Sequence, residues 1–245
     1  MDRSFAARHQ LDAAFWLTFT VLAWFLVYMG FAPQIDLRFS GKADYPAPPA
    51  LVIHVWSVFA WLAVLSVQVA LRHLNLMQWY RVLGLVALLL VPTMVISAIA
   101  AEIFSERFYA AEYPEVVRFF PIPLTSMITF AICAVAAIAF RREPSMHKRL
   151  IYLATSALLV ATFFRWWGDA LTGVVAPGIL SEWIVNYLGV SLLFAIGIGH
   201  DLLTRGRVHR AFLIAVPLML AAQWLAVAIG QSDWWPPIGR QILGI

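Results

Sequence analysis

Charge is what this chain has least of. Only 12% of its 245 residues are Asp, Glu, Lys or Arg, about half the roughly 25% that a water-facing domain carries. A soluble enzyme, a nucleic-acid-binding domain and a disordered chain are all excluded on that ground, and the high pI is not affinity for DNA. Cysteine is nearly absent as well: Cys133 stands alone, which forbids an internal disulfide and any Cys-rich metal or iron–sulfur site. The two lysines, Lys42 and Lys148, fall at expected loops, so no retinal Schiff base is available within a span. There is no P-loop, GxGxxG or HExxH motif, no GxSxG elbow, and no acidic ring or glycine-rich stretch of the kind that filters ions. Nucleotide and nucleic acid are not expected partners.

What fills the space is apolar. Hydrophobic residues make up 62% of the chain, and a helix needs about 20 of them in a row to cross hydrocarbon. Seven stretches qualify, at approximately 13–33, 50–71, 81–101, 119–140, 149–169, 183–200 and 210–230. They are apolar on all sides, unlike the alternating strands of a membrane β-barrel. The expectation is an all-α, polytopic, seven-transmembrane-helix bundle forming one domain over 1–245. The first span is too long for a signal-peptide core and no small-x-small cleavage site follows it. Short loops leave no room for a soluble domain; the longest run from Pro33 to Pro49 and from Ile103 to Arg118.

Basic residues orient such bundles. Arg3, Arg8, Arg72, Arg81, Arg141, Arg142, Lys148, Arg149, Arg205, Arg207 and Arg210 would share one side; Arg38, Lys42, Arg107, Arg118 and Arg240 would share the other. Eleven against five predicts a cytoplasmic N-terminus and an external C-terminus, in a bacterial cytoplasmic membrane. Trp16, Trp79, Trp183, Trp234 and Trp235 fall near the expected interfaces. A weak repeat opens three inward-starting helices with a ring beside a cation, at Tyr80-Arg81, His147-Lys148-Arg149 and His209-Arg210, with Pro92 and Pro217 further in. Gly197-Ile198-Gly199 reads as a close helix contact.

Ionisable groups inside spans are costly and mark candidate sites. Arg165 is the clearest, with Asp169 four residues on and able to neutralise it on the same helix face. His54 and Glu102 enter at a similar outer depth, and Asn186 and Gln223 reach the outer halves of the last two spans. Converged, the six would form an outward-facing pocket for an anionic headgroup, a quinone carbonyl or a proton-coupled ligand. The plain structural alternative is an Arg165–Asp169 pair snorkelling to the interface. A second cluster, His73, His147, His200, Asp201 and His209, lies at the inner ends. There His147, Asp201 and His209 are candidate ligands for a divalent metal or haem b, although basic loops border them and such histidines also serve as solvated anchors.

From about residue 50 onward these motifs resemble a group of uncharacterised bacterial seven-helix proteins with a loose likeness to cytochrome-b561-type bundles. The likeness rests on Ile53-His54, on Tyr80-Arg81-Val82-Leu83-Gly84, on His147 to Leu150 with Leu153 to Thr155, on Arg165, and on Asp201 through Phe212. It implies the seven-helix fold and the choice of His54, Arg165, His147, Asp201 and His209. Tyr80 stands where that family has histidine, and a phenol is a poor axial haem ligand. Three functions follow as expectations. The first is binding of a small amphipathic ligand or redox cofactor in the outer pocket. The second is a non-catalytic subunit or assembly factor, packed laterally against other membrane subunits. The third is a metal-dependent enzyme at the inner histidines.

Overall fold

The computed structural model describes residues 5, 6 and 8–245; Arg3, counted above among the inner cations, lies outside them. Among the described residues every regular element is helical. The order is α1 (Asp12–Phe39), α2 (Pro49–His73), α3 (Met77–Gly84), α4 (Ala87–Ala110), a 3₁₀ turn at Pro114–Arg118, α5 (Pro121–Ala139), α6 (Pro144–Leu158), α7 (Val160–Thr172), α8 (Ile179–Arg205), α9 (Arg210–Gln231) and α10 (Trp235–Leu243). Six spans are long and apolar enough to cross a membrane, and α6 with α7, bent by 43°, makes a seventh if the pair is one span. The residues expose Leu89, Ile96, Leu203 and Leu213 outward, where lipid rather than water is the favourable solvent.

Local chemistry sets the ends. Proline opens α2, α5 and α6 at the first helical position, where its missing N–H costs nothing. Gly206, at φ +67°, closes α8, and His209 caps α9 by accepting the Ala211 N–H on Nδ1 at 3.0 Å. Lys148 sits in the second turn of α6 rather than in a loop.

Two ends of the bundle are defined by their contacts. At the end nearest residue 12, here the proximal face, Lys148, His200 and Arg205 all reach Asp12. At the distal face Tyr109 donates to Asp44 at 2.6 Å and Arg118 to the Gly230 carbonyl at 3.1 Å. Trp235, expected at an interface, is buried there and donates to the Val117 carbonyl at 2.8 Å, anchoring α10.

Between the faces, α2 packs on α1 and α4, α5 on α4, α6 and α9, and α7 on α1 and α8. Polar groups in this core find internal partners, as they must without water. Trp61 Nε1 donates to Thr155 Oγ1 at 3.1 Å, and the Tyr152 hydroxyl to the Leu193 carbonyl at 2.6 Å. Of the glycine pair, Gly197 is a close contact: a Cβ there would lie 2.7 Å from the Tyr152 ring, while Gly199 faces open space. The first two ring positions of the repeat meet, with the Tyr80 hydroxyl 3.2 Å from His147 Nε2.

A candidate ligand crevice at the distal face

Helical rise of 1.5 Å per residue puts three sequence-flagged groups at one depth. His54 lies five residues from the distal end of α2, Glu102 eight from that of α4 and Arg165 seven from that of α7, so all three sit about 7–12 Å inward. Arg165 is within electrostatic reach of both Glu102 and His54. Its side chain is exposed on α7, and the space in front of the guanidinium is the candidate crevice. Its floor on α1 is Phe31, whose ring centre lies 5.0 Å from the Arg165 Cζ. The helices α4 and α7 do not pack closely on each other.

Hydrogen-bonding capacity is left over on every side. A guanidinium has five N–H donors; among the described residues Arg165 has one protein acceptor, the Ala161 carbonyl of its own helix at 3.3 Å. The His54 ring lies by the Met94 backbone, and its buried Nδ1 has no hydrogen-bond partner. Glu106, one turn beyond Glu102, is only 2% exposed and its Oε2 is unpartnered too. Glu106 is not among the expected site residues, because the apolar run of the third span ends near residue 101. The Glu-x-x-x-Glu spacing, which stacks two carboxyls on one helix face, was the available signal.

The segment between α1 and α2 covers this end. Asp44 is held by Tyr109, the Arg38 guanidinium donates to the Tyr45 carbonyl at 2.9 Å, and the Tyr45 ring packs on Phe104 and Phe108 at 5.2 and 4.7 Å. Tyr45 and Tyr109 also come within electrostatic reach of Arg165.

The remaining expected site residues go elsewhere. Asp169 is exposed and makes no ion pair with Arg165 among the described residues. One helical turn does not ensure contact when the guanidinium bends back along its own helix to the Ala161 carbonyl. Asn186 and Gln223 are buried at 2% and 4% between α8 and α9, and the Gln223 Oε1 lies 3.5 Å from the Ser191 hydroxyl. They belong to a different part of the bundle.

At the proximal face the candidate metal ligands are engaged with protein. Asp201 receives the Arg149 guanidinium in a two-pronged pair, with Nε to Oδ2 at 2.8 Å and the second prong between NH2 and Oδ1. It also accepts the His209 backbone N–H at 3.1 Å. His147 Nδ1–H donates to the Ala137 carbonyl at 2.8 Å, and its Nε2 accepts from the Tyr80 hydroxyl. His200 meets Asp12 at 2.9 Å, and Arg205 grips the same carboxylate at 2.7 and 2.8 Å. The Phe5 ring lies under Arg149, Arg205 and Arg207 at 4.5, 5.6 and 5.3 Å. Burial and the neighbouring Arg149 charge push His209 down to about 4, so its ring is neutral and free to cap α9. Among the described residues no three His, Cys, Asp or Glu side chains are placed to share an ion. This corrects the expectation for His147, Asp201 and His209: guanidinium and ammonium groups occupy the carboxylates, and the imidazoles bond to backbone, phenol or carboxylate.

The six to seven apolar helices define a multi-pass helical membrane protein, with buried ion pairs gathered at one end and the candidate site's ionisable groups at the other. No protein-family model matches the chain, and no curated protein or solved structure matches it either.

Proposed function

We propose that the chain is a cytoplasmic-membrane protein that binds a small amphipathic ligand in the crevice of Arg165, with its head on the guanidinium and its apolar part along Phe31 and the Tyr45 cluster. The proximal face, richer in arginine and lysine, would lie in the cytoplasm and the crevice outside. The observation that carries this reading is the unspent guanidinium at a depth where a lone cation is expensive. An anionic or carbonyl oxygen answers it. His54 and the Glu102–Glu106 carboxyls, each with hydrogen-bonding capacity to spare, would then give or take a proton at the ligand head. A quinone and a fatty-acid carboxylate share this chemistry.

The reading is tested by titrating the purified protein with a short-chain benzoquinone and with dodecanoate. Saturable binding of one of them is expected. It should weaken at least about tenfold in Arg165→Ala, the loss of one charge-assisted contact worth about 1.5–3 kcal/mol. Arg165→Lys should recover only part, since an ammonium lacks the planar fork. Absence of saturable binding by the wild-type protein, or full affinity in Arg165→Ala, would overturn it.

A further inference from the structure

A second opening lies at the distal face, and none of Arg165, His54, Glu102 or Phe31 lines it. A half-open cavity of about 240 Å³ is bordered by the 3₁₀ turn, the start of α5, the start of α8 and the end of α9. Its apolar walls are Phe119, Ile122 and Val227, and its charged groups are Glu115, Arg118 and Glu182.

The charges are not equivalent. The Arg118 guanidinium donates to Glu115 at 2.6 Å and to the Gly230 and Ser232 carbonyls at 3.1 and 3.0 Å, and its remaining nitrogen faces the Asp233 carboxylate at 3.8 Å. Glu115 is shared between Arg118 and Arg240, the latter at 3.5 Å. Those groups neutralise one another. Glu182 makes no ion pair among the described residues, so it leaves the cavity with a net negative charge. The dipole of α8 favours an acid in this first turn but does not account for the space in front of it.

What a ligand in this cavity meets is one carboxylate without an ion pair, set over an apolar wall. The matching ligand is a donor with positive charge. A bare divalent ion needs six or more oxygens, which one carboxylate does not supply, and the apolar walls would be wasted on it.

We infer that this cavity is a binding site for a small organic ammonium ion, its N–H groups on Glu182 and its hydrocarbon against Phe119, Ile122 and Val227. The site is separate from the Arg165 crevice and has the opposite charge preference.

The test uses the full-length protein in detergent and isothermal titration calorimetry, with benzylamine as probe and benzoate and benzyl alcohol as its anionic and neutral counterparts. Benzylamine should bind saturably and both counterparts at least tenfold more weakly. Glu182→Gln should cost about 10- to 100-fold in benzylamine affinity, the range for a charged hydrogen bond. Val227→Phe, which fills the cavity without touching a charge, should abolish binding. Arg165→Ala should leave it unchanged, which separates this site from the crevice. The inference fails if benzylamine does not saturate, if benzoate binds as well, if Glu182→Gln and Val227→Phe bind normally, or if Arg165→Ala removes binding.

Discussion

Buried and exposed ion pairs on the proximal face differ in what they do. The Arg210–Glu143 pair is 60% and 49% exposed and belongs to the class worth about 0–1 kcal/mol. Arg149 and Asp201 are 4% and 1% exposed, and removing one partner of such a pair costs about 3–5 kcal/mol because the other charge is stranded. That cost explains why the inner histidines surround a structural knot and are not ligands. It was not legible in the sequence, since Asp12, Lys148, Arg149, His200 and Asp201 come from three separate stretches and only packing shows which carboxylate answers which cation. Arg165, His54 and Glu102 were legible, because an ionisable group in an apolar run announces its cost. Linkage at His209 follows from the same knot. Its folded pKa, about 4, lies below the roughly 6.5 of a free imidazole. Above pH 6.5 both folded and unfolded forms are neutral and the contribution is fully present. Between 6.5 and 4 only the unfolded chain gains the proton, so stability falls with pH and the loss is complete below 4. His209→Asn keeps a capping side chain without the titration. Thermal midpoints measured from pH 7.5 to 4.5 should therefore drop further for the wild-type protein than for His209→Asn. Parallel curves would refute the assignment.

Helices were the easiest feature to read, for a physical reason: hydrocarbon admits no unpaired backbone, so a 20-residue apolar run has little choice. Their interruptions were harder. The break between α6 and α7 contains neither proline nor glycine. It arises where the Leu159 N–H bonds the Ser156 carbonyl at 3.0 Å, three residues back, and the Thr162 hydroxyl takes the Leu159 carbonyl at 2.7 Å. A tightened turn and a threonine competing for backbone are both known to bend helices, but neither is a signal that composition displays. Beside the break, α1 comes unusually close: a Cβ on Gly30 would lie 2.6 Å from the Thr162 Cα. The obstacle is backbone, which cannot rotate away. Gly30→Leu should therefore lift α1 from α7 and destabilise the bundle by about 1–3 kcal/mol, the usual range for overpacking, read as a lower unfolding midpoint in mild detergent. Leu at Gly199, where nothing lies within 4 Å, should change little. Equal effects at both positions would mean that Gly30 is not a contact.

At the scale of the whole molecule, the open question of count and orientation reduces to whether α6 and α7 form one crossing. Alone they are 15 and 13 residues, about 20–22 Å each, too short for a core of about 30 Å. Joined, residues 144–172 reach about 43 Å before bending, and a 43° turn is far from the reversal that a re-entrant loop requires. Their outer ends also point to opposite faces. Lys148, near the start of α6, pairs with Asp12 at 2.7 Å, whereas Phe164 of α7 packs 5.1 Å from Phe119 at the start of α5. Seven crossings put the termini on opposite sides, six on the same side. The cationic excess at the proximal face then selects which side is which. A phosphatase reporter that is active only outside the cytoplasm should work after Ile245 and in the loop at Gly41. It should be silent in the turn at Arg141–Arg142. Activity at Gly41 with silence at the C-terminus would reduce the count to six and take Arg165 out of a true span. Activity at Arg141 alone would invert the molecule and place the crevice in the cytoplasm, where its ligand would have to be sought instead.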